Sequence, residues 1–260
     1  MAEEVVKMRI ENDVAELVIN RPENLNALNV DVLQSLLLCF DKLNKEKQVR
    51  CAIITGAGEK AFVAGADIPL LQQLGKRAAA DYIELGQRAM REIEKSPFPV
   101  LAAVNGYALG GGLELAISCD IILASQSARF GAPEVNLGII PGFGATQRLI
   151  QRCGIGAARR LVLTGDMIDA LEAKSIGLAD VIAPEGTLQE TTWKMAQMIA
   201  SRGPLAVAEA KKVIRASQEQ TLLSGLQMEV ESFLAMHETY DREEGMMAFM
   251  QKRKPKFTGK

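Results

Sequence analysis

Histidine is almost missing from this chain. Its 260 residues include one, His237. Any Ser-His-Asp or Cys-His site would have to use it, and a zinc site built on several imidazoles is excluded. His237 lies in a polar segment near Asp241, Glu243 and Glu244 and reads as part of a solvated helix face. Cysteine is scarce and unpatterned. Cys39, Cys51, Cys119 and Cys153 form no C-x-x-C pair, and they read as buried reduced thiols rather than a disulfide or metal framework. No uninterrupted apolar run approaches the roughly 18 residues that would suggest a membrane span. The N-terminal MAEEVVKMRI lacks the apolar run of a signal peptide and is too acidic for a transit peptide. A cytoplasmic protein is the expectation. The net charge of −2 leaves no basic footprint for nucleic acid. No G-x-x-x-x-G-K-[ST] exists, so a P-loop is absent. Chemistry is left to carboxylates, backbone dipoles or a bound cofactor.

What is present is an ordinary globular balance, 48% hydrophobic and 24% charged residues, in a chain long enough to bury a substantial core. Strand patterns at 5–11 and 14–20 flank a turn at Glu11-Asn12-Asp13. A helix from about residue 29 or 31 to 44 places Val32, Leu33, Leu36, Leu37 and Phe40 at helical spacing. Apolar strands follow at 49–55, 100–104, 121–124 and 181–182, with helices at 76–95, 145–153, 157–163 and 170–175 between them. From residue 188 the pattern is helical throughout. Alternation up to about residue 185 predicts an α/β fold with parallel strands and right-handed crossovers. The apolar stripe Leu222, Leu226, Val230, Phe233 and Leu234 needs a surface to pack on, either its own core or another subunit.

The most informative stretch is VLAAVNGYALGGGLELAISCD at 100–120. An apolar strand ends in Asn105-Gly106, and Gly110-Gly111-Gly112 opens a helix carrying Glu114 in its first turn. A helix start has N–H groups without intrahelical partners and favours negative charge. The glycines let another group approach that backbone closely. An anion, or an oxygen that becomes one during a reaction, suits the place. Glu134 follows Pro133 in the glycine-rich FGAPEVNLG. Alone, Glu114 could merely complement a helix N-terminus, and Glu134 could be a solvated loop acid. Their apolar surroundings point further, because partial burial raises a carboxyl pKa and suits it to proton transfer. Ala64-Gly65-Ala66-Asp67-Ile68 is either a tight packing turn or a place where a substrate lies along the backbone. Gly56-Ala57-Gly58-Glu59-Lys60-Ala61 fits a dinucleotide fingerprint, but Gly65, Asp67 and Pro69 interrupt the helix that should follow, and no ribose-binding acid stands about 20 residues on.

Taken together, AFVAGADI at 61–68, AAVNGYALGGGLELAISCDI at 102–121, FGAPEVNLGIIPGFGATQRL at 130–149 and LTGDMIDALEAKSIGLAD at 163–180 resemble the crotonase (enoyl-CoA hydratase/isomerase) superfamily. NRPENLNALN at 20–29 and DREEGMMAFMQKRKPKF at 241–257 extend the resemblance over nearly the whole chain. It implies a spiral of strand-strand-helix turns over 1–195 carrying the site. It also implies a helical region at 196–260 that covers the site and builds a homotrimer, or a hexamer as a dimer of trimers. It implies an acyl-CoA thioester substrate, CoA being part of that substrate, and neither a separate cofactor nor a metal. The oxyanion hole would be the N–H groups of Ala66 and Gly111, and the two glutamates around one water would be Glu114 and Glu134. Substrate would lie along Leu25, Ala27, Ala64, Asp67, Ile68, Gly110, Pro141 and Gly142. The implied reaction is hydration of a trans-2-enoyl-CoA to the 3-hydroxyacyl-CoA. The alternatives are a branched or cyclic enoyl-CoA substrate, double-bond isomerisation, or a non-catalytic subunit of this fold. Glu23 and Pro69 stand where relatives often carry basic residues. The charge missing at the CoA phosphates could come from Lys252-Arg253-Lys254-Pro255-Lys256, which otherwise is a solvated basic tail.

Overall fold

A computed structural model describes residues 4–46 and 48–260; part of the leader reading, Met1–Glu3, lies outside them. The chain opens with a hairpin, β1 (Val6–Glu11) and β2 (Val14–Ile19), turned by Asn12 and Asp13 in the left-handed region. A 3-10 turn at Pro22–Asn24 leads to α1 (Val30–Lys45), whose N-cap Asn29 accepts the Val32 N–H at 2.9 Å. The predicted spacing holds there: Val32, Leu33, Leu36 and Phe40 are buried.

Next come β3 (Cys51–Gly56), β4 (Ala61–Val63), α2 (Ile68–Gln73) and α3 (Lys76–Lys95). Then follow β5 (Val100–Val104), β6 (Tyr107–Leu109) and α4 (Gly111–Ile117). The next turn has β7 (Ile121–Ala124), β8 (Arg129–Gly131), a 3-10 turn at Pro133–Leu137 and α5 (Ala145–Thr164). β9 (Met167–Asp169), α6 (Ala170–Ser175) and β10 (Val181–Ile182) close the α/β part. Each of the turns starting at β3, β5 and β7 adds one strand to each of two sheets. One sheet runs β1-β2-β3-β5-β7-β10 and the other β4-β6-β8-β9. The pairing is parallel except at β1–β2 and β8–β9.

The strands of the second sheet do not show in the residue patterns, although the strand-strand-helix turns implied by the resemblance include them. Those strands are three residues long, too short for a two-residue alternation to register. α2 was also unforeseen, because Pro69 stands in it; Pro is tolerated in a first helical turn, and Asp67 caps it by accepting the Leu70 N–H. The two helices expected at 145–153 and 157–163 form one element kinked at Gly154 (φ 78°).

Four helices complete the chain: α7 (Leu188–Ala200), α8 (Pro204–Ala216), α9 (Leu222–Met236) and α10 (Tyr240–Met250). The main core lies between the sheets, α1 and α3–α6, and a second one lies between α7 and the outer face of the larger sheet, where Ala196 and Ala200 meet Val14, Ile53, Leu101 and Leu123. The division expected at 195/196 therefore falls inside α7. His237 is exposed at the end of α9, and all four cysteines are free thiols. Among the described residues no helix is long and apolar enough to cross a membrane.

Candidate active site

Three glycines bring the site together. Gly112 lies so close to β4 that a Cβ there would be 1.9 Å from the Val63 carbonyl oxygen. Only glycine lets α4 start against that strand. Gly65 (φ 114°) and Gly110 (φ 50°) adopt backbone that L side chains rarely take. A Cβ on Gly110 would sit 3.0 Å from Glu134 Oε1 and 3.8 Å from the Gly65 Cα. Gly65, Gly110 and the Glu134 carboxyl thus converge, although 24 and 45 residues separate them along the chain.

Each of the two turning glycines is followed by a free donor. Leu28 and Ala66 form a parallel bridge in which the Leu28 N–H donates to the Gly65 carbonyl (2.9 Å) and the Asp67 N–H to the Leu28 carbonyl (3.0 Å). The N–H of Ala66, between those two groups, points the opposite way and has no acceptor among the described residues. Gly111 is the first residue of α4, so its N–H has no intrahelical partner, and it finds no other acceptor among the described residues.

Glu114 lies one turn further along α4, 1% exposed. Its Oε1 accepts the N–H groups of Phe143 (2.8 Å) and Ala145 (2.9 Å). Burial pushes its pKa up to about 7, and the neighbouring Glu134 pushes the same way. The N–H groups of Ala145, Phe143 and Gly144 pull against both. Glu134, on the 3-10 turn after β8, is also raised by burial. Its Oε2 is buried and has no hydrogen-bond partner. An acceptor left bare in this way costs stability unless a water or substrate meets it.

The expected substrate-contact residues fall into two groups. Leu25, Ala27, Ala64, Asp67 and Ile68 are brought together, since segment 25–28 runs beside segment 64–67 and the Ala64 N–H donates to the Leu25 carbonyl (3.0 Å). Leu25 and Asn26 are both left-handed (φ 50° and 59°), a strain of about 1–2 kcal/mol each. Gly110 lies under Glu134, as described. Pro141 is buried, and Gly142 packs on α3, where Gln87 donates to its carbonyl (2.9 Å). The Asp67 side chain is engaged by Arg21 (3.1 Å). In the basic tail, Arg253 makes a two-pronged pair with Glu244, holding that carboxyl down at about 2.

Sequence reasoning missed the residues that fix these loops. Arg21 joins Asp67 to the Ala27 carbonyl (2.7 Å). Asn26 and Asn105 both donate to the Ala61 carbonyl, and Asn105 also holds the carbonyls of Gly56 and Gly58. The fingerprint-like 56–61 segment is therefore a strand-to-strand turn, not the opening of a helix. The local signal available was asparagine beside turn glycines. Cavities of about 920 and 590 Å³ open elsewhere, the first beside that turn and Trp193, the second between α8 and the spiral; neither is lined by Ala66, Gly111, Glu114 or Glu134. Among the described residues no cluster of His, Cys, Asp or Glu could hold a metal ion.

A protein-family model described as enoyl-CoA hydratase/isomerase matches residues 9–260. The chain belongs to the enoyl-CoA hydratase/isomerase family. It is 44% identical to a crotonyl-CoA hydratase of Syntrophomonas wolfei over the full length of both chains. It is 43% identical to a short-chain-enoyl-CoA hydratase of Clostridium acetobutylicum over 94% of each. The crystal structure of an enoyl-CoA hydratase from Bacillus anthracis superposes with a TM-score of 0.96, at 39% identity, over 98% of this chain and 100% of that one. The spiral expected from the sequence is thus the fold of this family.

Proposed function

We propose that the protein hydrates short trans-2-enoyl-CoA thioesters to 3-hydroxyacyl-CoA. The observation that carries this is the meeting of a buried carboxyl and a half-buried one, the latter with a buried, unpartnered oxygen, beside two backbone donors without acceptors. The thioester carbonyl accepts the N–H groups of Ala66 and Gly111. Polarisation makes C3 electrophilic. Glu114 orients a water and takes its proton as the water oxygen bonds to C3. The electron pair moves to the thioester oxygen as an enolate, which the two donors stabilise by roughly 3–4 kcal/mol each. Glu134 then delivers a proton to C2. The two protons balance the water consumed, and the carboxyls are reset by exchange between them or with solvent.

The thioester chain runs along Leu25, Ala27, Ala64, Asp67 and Ile68, with Gly110, Pro141 and Gly142 on the acyl side. Left-handed Leu25 and Asn26 support this path, as strained backbone persists where a surface is being shaped. The helical region 196–260 covers the site and joins subunits as a trimer or a dimer of trimers. The exposed apolar residues of α9, such as Leu222, Phe233 and Leu234, support that role. The enzyme works in the cytoplasm.

The test is crotonyl-CoA hydration by purified enzyme. Glu114→Gln and Glu134→Gln are each expected to lose at least about a hundredfold in kcat/KM. Wild-type rates in both variants would overturn the mechanism, and a shifted double bond without added water would replace hydration with isomerisation.

A further inference from the structure

We propose that the Glu94–Arg148 ion pair is a positioning device for Glu114, acting through the peptide bond between Phe143 and Gly144. Glu94 comes from the last turn of α3 and Arg148 from the first turn of α5. Arg148 sets Nε and Nη2 on the two oxygens of Glu94 (2.5 and 2.8 Å) and Nη1 on the Phe143 carbonyl (2.7 Å). In a trans peptide the carbonyl and the following N–H point in opposite directions. Holding the Phe143 carbonyl toward Arg148 therefore turns the Gly144 N–H toward Glu114, whose ionised form that N–H favours. The flanking N–H groups of Phe143 and Ala145 bond the same carboxyl. The peptide links Arg148 to Glu114, and each hydrogen bond polarises the next.

The surroundings fit this role. Gly144 has φ 121°, and a Cβ there would lie 2.0 Å from Arg148 Nη1, so glycine is what lets the guanidinium lie against the turn. α3 also braces the turn at Gly142 through Gln87 and at Phe143 through Gly86, where a Cβ would meet the ring at 2.2 Å. Tyr82, on the same face of α3, packs edge-on against Phe143 and donates to the Leu28 carbonyl (2.8 Å), which is the residue that orients Ala66. One helix thereby aligns both halves of the site. The ionisable groups facing Glu114 are Glu134 from the 3-10 turn and Tyr82 from α3; Arg148 and Glu94 stand behind the turn. The pair borders a cavity of about 290 Å³ with Gln87, Arg91 and Arg215, so replacing it removes no apolar core side chain.

The inference rests on Glu114 acting in its ionised form. It is tested by pH profiles of crotonyl-CoA hydration. Arg148→Met is expected to lower kcat about tenfold or more with KM within about twofold. It should also move the acid limb upward by about half a pH unit or more, because the ionised carboxyl loses donors. Arg148→Lys and Glu94→Gln should fall between that variant and the wild type. The double variant should be no worse than Arg148→Met alone, since both act through one turn. Arg160→Met, on the same helix as Arg148, breaks an exposed pair with Glu172 of α6 and should leave rate and limb in place. An unmoved acid limb in Arg148→Met, or kcat within about twofold of wild type, overturns the inference. Should Arg148→Met not fold, Glu94→Gln carries the same limb criterion. Undiminished hydration by Glu114→Gln overturns the hydratase mechanism instead, so the two failures are distinct.

Discussion

α4 and α9 are helices of this chain with opposite fates. All seven residues of α4 are buried, whereas none of the fifteen in α9 is. α4 opens on two glycines, and there it packs backbone against backbone. At Gly56, Gly106 and Gly112 an added Cβ would lie within 2.2 Å of a carbonyl oxygen of the neighbouring segment. α9 carries large apolar side chains that stay at the surface, Leu222 at 80% exposure and Phe233 at 66%. α8, which α9 packs against, is fastened to the spiral by a polar anchor: Lys211 Nζ reaches Asp120, Ser96 Oγ and the Phe98 carbonyl. The contrast teaches that hydrophobicity alone does not decide burial. The spiral closes on itself because its glycines admit close approach, and the tail presents a face that only a second surface can cover.

The sharpest break in this comparison is Gly112→Ala. One methyl must displace the Val63 backbone, and a loss of about 3 kcal/mol or more is expected in denaturant unfolding. A variant as stable as wild type would refute the close-approach argument.

A somewhat smaller effect tests what the buried site costs the spiral. Glu114 binds its proton more tightly folded than unfolded, so its carboxyl weakens the fold progressively as pH rises from about 4.5 to about 7. Glu114→Gln should remove that decline and gain up to about 3 kcal/mol at pH 8 relative to pH 4. Parallel pH–stability curves for the two proteins would contradict it.

The smallest effect belongs to the tail. Phe233→Ser should change unfolding of the dissociated chain by less than about 0.5 kcal/mol, yet weaken self-association in sedimentation. A large stability loss with association intact would mean that α9 packs within its own subunit.

Much of this was legible in residue order. The periodicity of Val32, Leu33, Leu36 and Phe40 predicted α1, and Lys76–Lys95 ended where Ser96-Pro97 stopped it. In the larger sheet β3, β5, β7 and β10 were visible as apolar runs, and β1 and β2 as strand patterns about a turn. Glu114 and Glu134 stood out as acids in glycine-rich, apolar surroundings. The smaller sheet was not legible, because Ala61–Val63 or Tyr107–Leu109 has no room for a pattern. Nor were Arg21, Tyr82, Glu94 and Arg148, which read as ordinary helix or loop residues until their partners, 46 to 54 positions away for the contacts that matter, are known.

By itself the sequence determined which residue types were available, glycines where backbones must touch and carboxyls in apolar stretches, because those properties belong to single residues and their near neighbours. The tertiary structure decided which N–H groups stay free and which carboxyl oxygen goes unpartnered. Ala66 is a free donor because Leu28 takes the groups on either side of it, and Glu134 is bare because Gly65 and Gly110 close beneath it. Being unpaired is a property of everything a group does not touch, and only the folded chain defines that.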